Sequence, residues 1–189
     1  MRDLRSEILE NKQLADGIYK MTLETPKSEF AKPGQFAMVE VPEKFLRRPI
    51  SVSSYDSDRY TLIYKVVGGG TEILSKMEQG EHVRSITGLG NGYNIDDITD
   101  GAYIIGGGIG IPPMLGLLKA IVMSGKSCKV ILGYNSADEM FMFDDFQQLA
   151  DDITVMTADG SYGQKGFVTD AFSSCEYACA CGPLPMLRA

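Results

Sequence analysis

The sequence predicts two domains of different class: a small antiparallel β-barrel over residues 1–97, then an α/β domain with a parallel sheet over 98–189. Three observations carry this. The first half reads as short strands with turn punctuation, which suits a closed all-β unit. The second half alternates apolar strands with helix-length segments, which suits βαβ units. The texture changes at a polar connector, Asp96-Asp97-Ile98-Thr99-Asp100.

In the first half, Tyr19, Met21 and Leu23 alternate with Lys20, Thr22 and Glu24, a period of two that predicts a half-buried strand over Gly17–Glu24. Gln35–Val41, Pro49–Tyr55, Arg59–Val67 and His82–Thr87 are further strands, each bounded by Gly, Pro, Asp or Ser. Thr71–Glu78 alone reads as helix. In the second half, Ala102–Ile105, Lys129–Tyr134, Ile153–Thr157 and Tyr177–Cys181 are buried strands. Between the first two lies a helix in which Met114, Leu118 and Ile121 share a face, ending near Gly125.

The formal charge is −7, with 18 basic and 25 acidic residues, and hydrophobic residues make up 44% of the chain. That is enough apolar material for a core, and the acidic balance opposes non-specific binding to nucleic acid or an anionic membrane. No apolar run is long enough to span a bilayer and the first residues carry no secretory pattern, so a soluble, cytoplasmic protein is expected. An anionic ligand must be held by local donors, and Arg47, Arg48 and Lys65 are the best cations for it. No serine lies in G-x-S-x-G, which argues against a hydrolase. His82 reads as a solvated strand start, and Asp144-Asp145 and Asp151-Asp152 as solvated faces.

Four cysteines are present, Cys128, Cys175, Cys179 and Cys181, with neither C-x2-C nor C-x4-C-x2-C spacing. With a single distant histidine, zinc has no partner set. Cys128, Cys175 and Cys179 are expected to be small buried thiols in a reducing compartment.

Two motifs carry chemistry. Gly106-Gly107-Gly108-Ile109-Gly110 follows a strand and precedes a helix that opens on Pro112-Pro113. Glycines let a diphosphate approach backbone N–H groups at a helix start, and proline is tolerated in the first turn. The run departs from G-x-G-x-x-G at Ile111, and no acidic residue follows about 20 positions on. The second motif is Arg47-Arg48-Pro49-Ile50-Ser51-Val52-Ser53. Here an arginine ahead of a strand can clamp a diphosphate while the later hydroxyl bonds a ring nitrogen.

Together with Ile63-Tyr64-Lys65, Gly69-Gly70-Thr71-Glu72, Gly88-Leu89-Gly90-Asn91-Gly92, Asp159-Gly160-Ser161-Tyr162-Gly163 and Cys181-Gly182-Pro183-Leu184-Pro185-Met186-Leu187, these motifs make seven landmarks in order. From about Ile8 onward the chain resembles the ferredoxin reductase superfamily, an FAD-binding barrel followed by a nicotinamide-binding domain. Within it, the chain is most similar to the electron-transfer subunits of NAD-linked dihydroorotate dehydrogenases. Ile50 stands where many superfamily members carry an aromatic, in keeping with that branch, and Thr87-Gly88 replaces the usual Gly-Pro.

The resemblance implies a six-stranded Greek-key barrel, a Rossmann-like second domain, and site residues carried over one by one. Arg48 would pair with the FAD diphosphate, and Ser51 would meet the flavin's reactive edge. Pro49, Ile50, Ile63, Tyr64 and Lys65 would line the cofactor, while Gly70 and Thr71 would offer N–H and hydroxyl donors. Gly106, Gly107, Gly108, Ile109 and Gly110 would receive NAD(H). Cys181, Gly182 and Pro183 would approach the nicotinamide and flavin, giving Ser51 and Cys181 catalytic roles.

The implied function is hydride exchange between NAD(H) and FAD, with electrons relayed to or from a dihydroorotate-oxidising FMN subunit of pyrimidine biosynthesis. In the family this relay runs through a [2Fe–2S] cluster. Alternatives are a free-standing NAD(P)H–ferredoxin or flavin reductase, or a cofactor-binding module without turnover. No cysteine here matches a cluster ligand, so no metal is expected on this chain. Met186–Ala189 would open a helix that the family continues into a further strand, so the α/β domain reads as truncated. Asn135-Ser136-Ala137-Asp138-Glu139 offers no cation for a 2′-phosphate, and its two acids would repel one.

Overall fold

A computed structural model describes residues 2–25, 32–172 and 174–189. The chain divides into two compact units, Met1–Tyr93 and Asn94–Ala189. The division falls just ahead of the expected polar connector, whose first residues, Asp96 and Asp97, lie in a single 3-10 turn (Ile95–Asp97) of the second unit.

The first unit holds β1 (Arg2–Ala15), β2 (Ile18–Glu24), β3 (Phe36–Val39), β4 (Arg48–Tyr55), β5 (Arg59–Lys65), α1 (Gly69–Ser75) and β6 (His82–Leu89). The strands close into an antiparallel barrel in the order β1-β2-β5-β4-β3-β6. Met21, Leu23, Ala37, Val39, Val52, Tyr60, Leu62 and Val83 fill it. Alternation explains the choice, because every second residue of a strand faces inward.

β1 was not among the strands expected from alternation, although it is the longest. Its first part pairs with β6 from Arg2 to Glu7, and its second with β2 from Ile8 to Ala15, with a bulge near Ile8–Glu10. A strand that serves two neighbours and is largely polar buries only Ser6 and Ile8, so it shows no sustained period of two.

The second unit holds β7 (Ala102–Gly107), α2 (Ile111–Met123), β8 (Cys128–Tyr134), α3 (Phe143–Gln147), β9 (Ile153–Thr157), β10 (Gln164–Lys165), α4 (Val168–Ala171), β11 (Ala178–Cys181) and α5 (Leu184–Arg188). All five strands run parallel in the order β10-β9-β8-β7-β11. α2 buries Ile111, Met114, Leu117, Leu118 and Ile121, the face its spacing predicts, and its Pro112-Pro113 fall in the first turn. Among the described residues, no helix is long and apolar enough to cross a membrane.

Candidate functional site

Two places converge chemistry-bearing residues, one in each unit. In the barrel, Arg48 begins β4 and its guanidinium lies against Gly70 in α1. A Cβ at Gly70 would sit 2.6 Å from Nε and 2.7 Å from Nη2, so only glycine leaves room for the contact. Arg48 Nη1 donates to the Leu46 carbonyl at 2.7 Å, which leaves the other guanidinium hydrogens available.

α1 is held in place from its far end. Asn11 Nδ2 donates to the carbonyls of Leu74 (2.9 Å) and Met77 (2.7 Å), and Asn11 Oδ1 accepts from the Tyr64 hydroxyl at 3.3 Å. Arg47 takes a different path and pairs with Asp3 (3.2 Å) and Glu40 (3.0 Å), so it braces the barrel surface.

Three of the carried-over positions differ from their expected contributions. Ile50 and Tyr64 have their side chains in the barrel core, because alternation turns them inward, and burial raises the Tyr64 phenol well above its ordinary value. Toward a ligand they can offer backbone only. The Thr71 hydroxyl donates its one hydrogen to the Gly68 carbonyl (3.1 Å) and accepts from Val67 N–H (3.0 Å), so it shapes the turn instead of facing out. Ser51, half-buried and paired with Phe36 of β3, has no hydrogen-bond partner for its hydroxyl among the described residues. Pro49 and Lys65 are exposed, and Ile63 is buried on the face of β5 opposite Tyr64.

In the second unit, β7 lies between β8 and β11, so the strand order reverses at β7. Such a switch point opens a crevice beyond the carboxyl ends of the strands, where open α/β sheets hold their ligands. Gly106–Gly110 leaves the end of β7 there, and Cys181-Gly182-Pro183 leaves the end of β11, with Cys181 in register with Gly106. The segments touch. A Cβ on Gly110 would run into the Cys181 carbonyl, one on Gly107 into Met186 Sδ, and one on Gly182 would come within 3.4 Å of Gly107 N. Gly108 is left-handed (φ +50°) with open space around its Cα, and Ile109 is partly exposed. The wall presented to a ligand is therefore backbone.

The next two strand ends carry acids. A turn at Ala137–Glu139 follows β8, with Glu139 accepting from Asn135 Nδ2 at 2.8 Å. The Ser161 hydroxyl accepts from Ala137 N–H (2.7 Å) and donates to Asp159 Oδ1 (2.6 Å), tying this turn to the loop after β9. These hydrogen bonds from Ser161 hold the Asp159 carboxyl below the usual range. Sequence reasoning marked Asp159-Gly160-Ser161 as a landmark without a role; the only signal of this tie was a short acid-plus-hydroxyl loop after a strand.

Cys128 and Cys179 are buried, and burial pushes both thiols up to about 11. Cys181 is half-buried and raised by burial as well, so at neutral pH it is a thiol and not a nucleophilic thiolate. Cys175 corrects the expectation of burial: it lies exposed in the connector ahead of β11, outside any strand. His82 is exposed at the start of β6, and Asp144, Asp145, Asp151 and Asp152 are exposed. Among the described residues, no group of three or more His, Cys, Asp or Glu could hold a metal ion.

A closed six-stranded barrel followed by a parallel sheet with a glycine turn at its switch point defines a ferredoxin reductase-like protein. A family model, the oxidoreductase NAD-binding domain, matches residues 104–189. Among solved structures, the NADH-dependent reduced ferredoxin–NADP oxidoreductase superposes with a TM-score of 0.87 at 30% identity, over 97% of this chain and 69% of that one. An Amycolatopsis cytochrome P450 reductase shares the fold, with a TM-score of 0.87 at 22% identity over 99% and 63%.

The sequence relatives narrow this further. The chain is 38% identical to the dihydroorotate dehydrogenase B (NAD(+)) electron transfer subunit of Bacillus pumilus, over 96% of this chain and 75% of that protein. It is 36% identical to that of Lysinibacillus sphaericus, over 100% and 77%. The chain belongs to the family of dihydroorotate dehydrogenase B electron transfer subunits.

Proposed function

We propose that this chain is an electron-transfer flavoprotein that exchanges electrons between NAD(H) and FAD and relays them to or from a dihydroorotate-oxidising partner subunit. Family membership over nearly the whole chain is the observation that carries the reading. The two sites fit the two dinucleotides. The Arg48 guanidinium against a glycine that a Cβ would fill suits a diphosphate held by charge-assisted hydrogen bonds. The backbone-walled crevice at Gly106–Gly110 suits the dinucleotide of NAD(H).

FAD, when bound, supplies hydride exchange with the nicotinamide and electron exchange with the partner. The protein's task is then to hold and orient. Arg48 neutralises diphosphate charge. Ser51 has a hydroxyl free to donate to a ring acceptor. Gly107, Gly110 and Gly182 let the ends of β7 and β11 pack closely, so that Cys181 and Pro183 form one wall of the nicotinamide crevice.

In this reading the partner is the FMN-containing subunit, the assembly is cytoplasmic, and the four cysteines take no part in an iron–sulfur cluster. Two of them are buried as protonated thiols.

The test is anaerobic titration of the FAD-reconstituted chain with NADH, followed by pull-down of a dihydroorotate-oxidising subunit. Bleaching of the visible flavin band together with capture of that subunit supports the reading. Bleaching without capture would favour the free-standing reductase, and bound FAD that NADH cannot bleach would leave only a cofactor-binding module.

A further inference from the structure

The segment between β3 and β4 brings a second cation to the glycines that Arg48 touches. Glu43 takes a left-handed conformation (φ 61°), unusual for a residue with a side chain, and Lys44 N–H donates to the Val41 carbonyl at 3.1 Å. The turn is thus set in a defined shape, and it sends Lys44 toward α1. A Cβ on Gly69 would lie 4.0 Å from Lys44 Nζ, beside the Gly70 position where Arg48 packs. Lys44 and Arg48 therefore lie against consecutive glycines.

Among the described residues neither cation has a counter-ion. The ion pairs of the described residues use Lys12, Lys20, Arg47, Arg59, Lys76 and Arg84, and none uses Lys44 or Arg48. Arg47, the immediate neighbour, finds two carboxylates. Acids outnumber bases 25 to 18 in this chain, so two converging and unpaired cations run against its average charge. Like charges brought together repel, and an anion bound between them removes that cost.

We propose that Lys44 is the second cation of the dinucleotide diphosphate site, taking one phosphoryl group while Arg48 takes the other. This rests on the reading of the barrel as the FAD site and adds a residue to it. A diphosphate presents two adjacent anionic groups, which matches two cations side by side. An ammonium on a flexible stem acts as a point charge, so its contribution is strongly salt-dependent, whereas the guanidinium adds directional hydrogen bonds.

The experiment measures FAD dissociation constants of the full chain by quenching of flavin fluorescence, across a salt series. Lys44→Ala is expected to weaken FAD about ten-fold at low salt and to flatten the salt dependence. Lys44→Arg should stay within about three-fold of wild type, and Lys44→Glu should be weaker than Lys44→Ala. Because Lys44 is exposed, all three variants should melt like wild type without FAD, which separates a binding effect from misfolding. Lys44→Ala within two-fold of wild type at low salt, in a chain that Arg48→Ala strips of FAD, would overturn this inference alone. A wild-type chain that binds no FAD would overturn both it and the barrel reading.

Discussion

The Arg48 guanidinium fills the space that a side chain at Gly70 would need: a Cβ there would lie 2.6–2.9 Å from Nε, Nη2 and Cζ. Gly70 sits within α1, where alanine is the better helix former by about 1 kcal/mol. Gly70→Ala should therefore leave the apo-protein's melting temperature unchanged or higher while displacing Arg48. FAD affinity is expected to fall at least about ten-fold, approaching the roughly 10–150-fold loss of Arg48→Ala. Gel filtration with flavin absorbance as readout checks both; a Gly70→Ala protein as yellow as wild type refutes the relationship.

Arg47 provides the contrast. Its side chain is 20% exposed and bridges Asp3 and Glu40, each about 40% exposed. Surface pairs of this kind contribute about 0.2–1 kcal/mol each, so Arg47→Ala should lower the urea midpoint by an amount equivalent to roughly 1 kcal/mol. FAD affinity should stay within two-fold of wild type. A large loss of flavin from this variant would mean that the two arginines share one task.

The contrast also shows where local pattern was informative. Neighbours in sequence with opposite roles follow from alternation alone, and so do Met21 and Leu23 in the barrel or the buried face of α2. The parallel sheet was legible because its strands are apolar runs separated by helix-length segments. β1 was not legible, since it is largely polar and changes partners half-way along. The Ser161 tie and the Lys44 approach were hidden for another reason. Each joins a loop to a residue outside it, and no local periodicity encodes such contacts. Ile50 and Tyr64 show the limit of carrying positions over: a motif gives a position in the chain, but side-chain direction depends on strand register, which turns both into the barrel core.

The acidic rim predicts the choice of nicotinamide. Asp138 and Glu139 follow β8, Asp159 follows β9, and Ser161 holds the two loops together. An added 2′-phosphate would meet these acids, at a cost of about 1–3 kcal/mol against a 2′-hydroxyl that can donate to them. NADH should therefore exceed NADPH in kcat/KM by at least about ten-fold, and Ser161→Ala should narrow the ratio by loosening the turn. Equal efficiency with both cofactors in the wild-type protein contradicts the assignment.

Close packing of two backbones predicts the effect of Gly110→Ala. The new methyl group would collide with the Cys181 carbonyl and push the end of β11 away from the turn after β7. Flavin reduction by NADH should slow, with a raised KM for NADH, while FAD affinity stays unchanged because the barrel is a separate unit. Stopped-flow traces at several NADH concentrations read this directly. Unchanged kinetics would remove Gly110 and Cys181 from the nicotinamide crevice.

The thiols predict both reactivity and alkaline stability. Burial pushes Cys128 and Cys179 up to about 11, with each next to another acidic group that adds to the rise, and burial raises Cys181 as well. Cys175 is exposed, so a disulfide reagent at near-neutral pH should label one thiol per native chain quickly and the others only as the chain opens. For stability, the sign follows from the raised folded values. Below about 9, the unfolded thiol value, both states are protonated and the contribution is fully present. Above it the unfolded state loses protons first, so stability falls as pH rises from about 9 to about 11. The buried phenols of Tyr60, Tyr64 and Tyr134, also raised, extend the same trend at higher pH. Urea midpoints measured across that range should decline for wild type and decline less for Cys179→Ala; parallel curves for the two proteins would show that the Cys179 thiol is not held protonated by the fold.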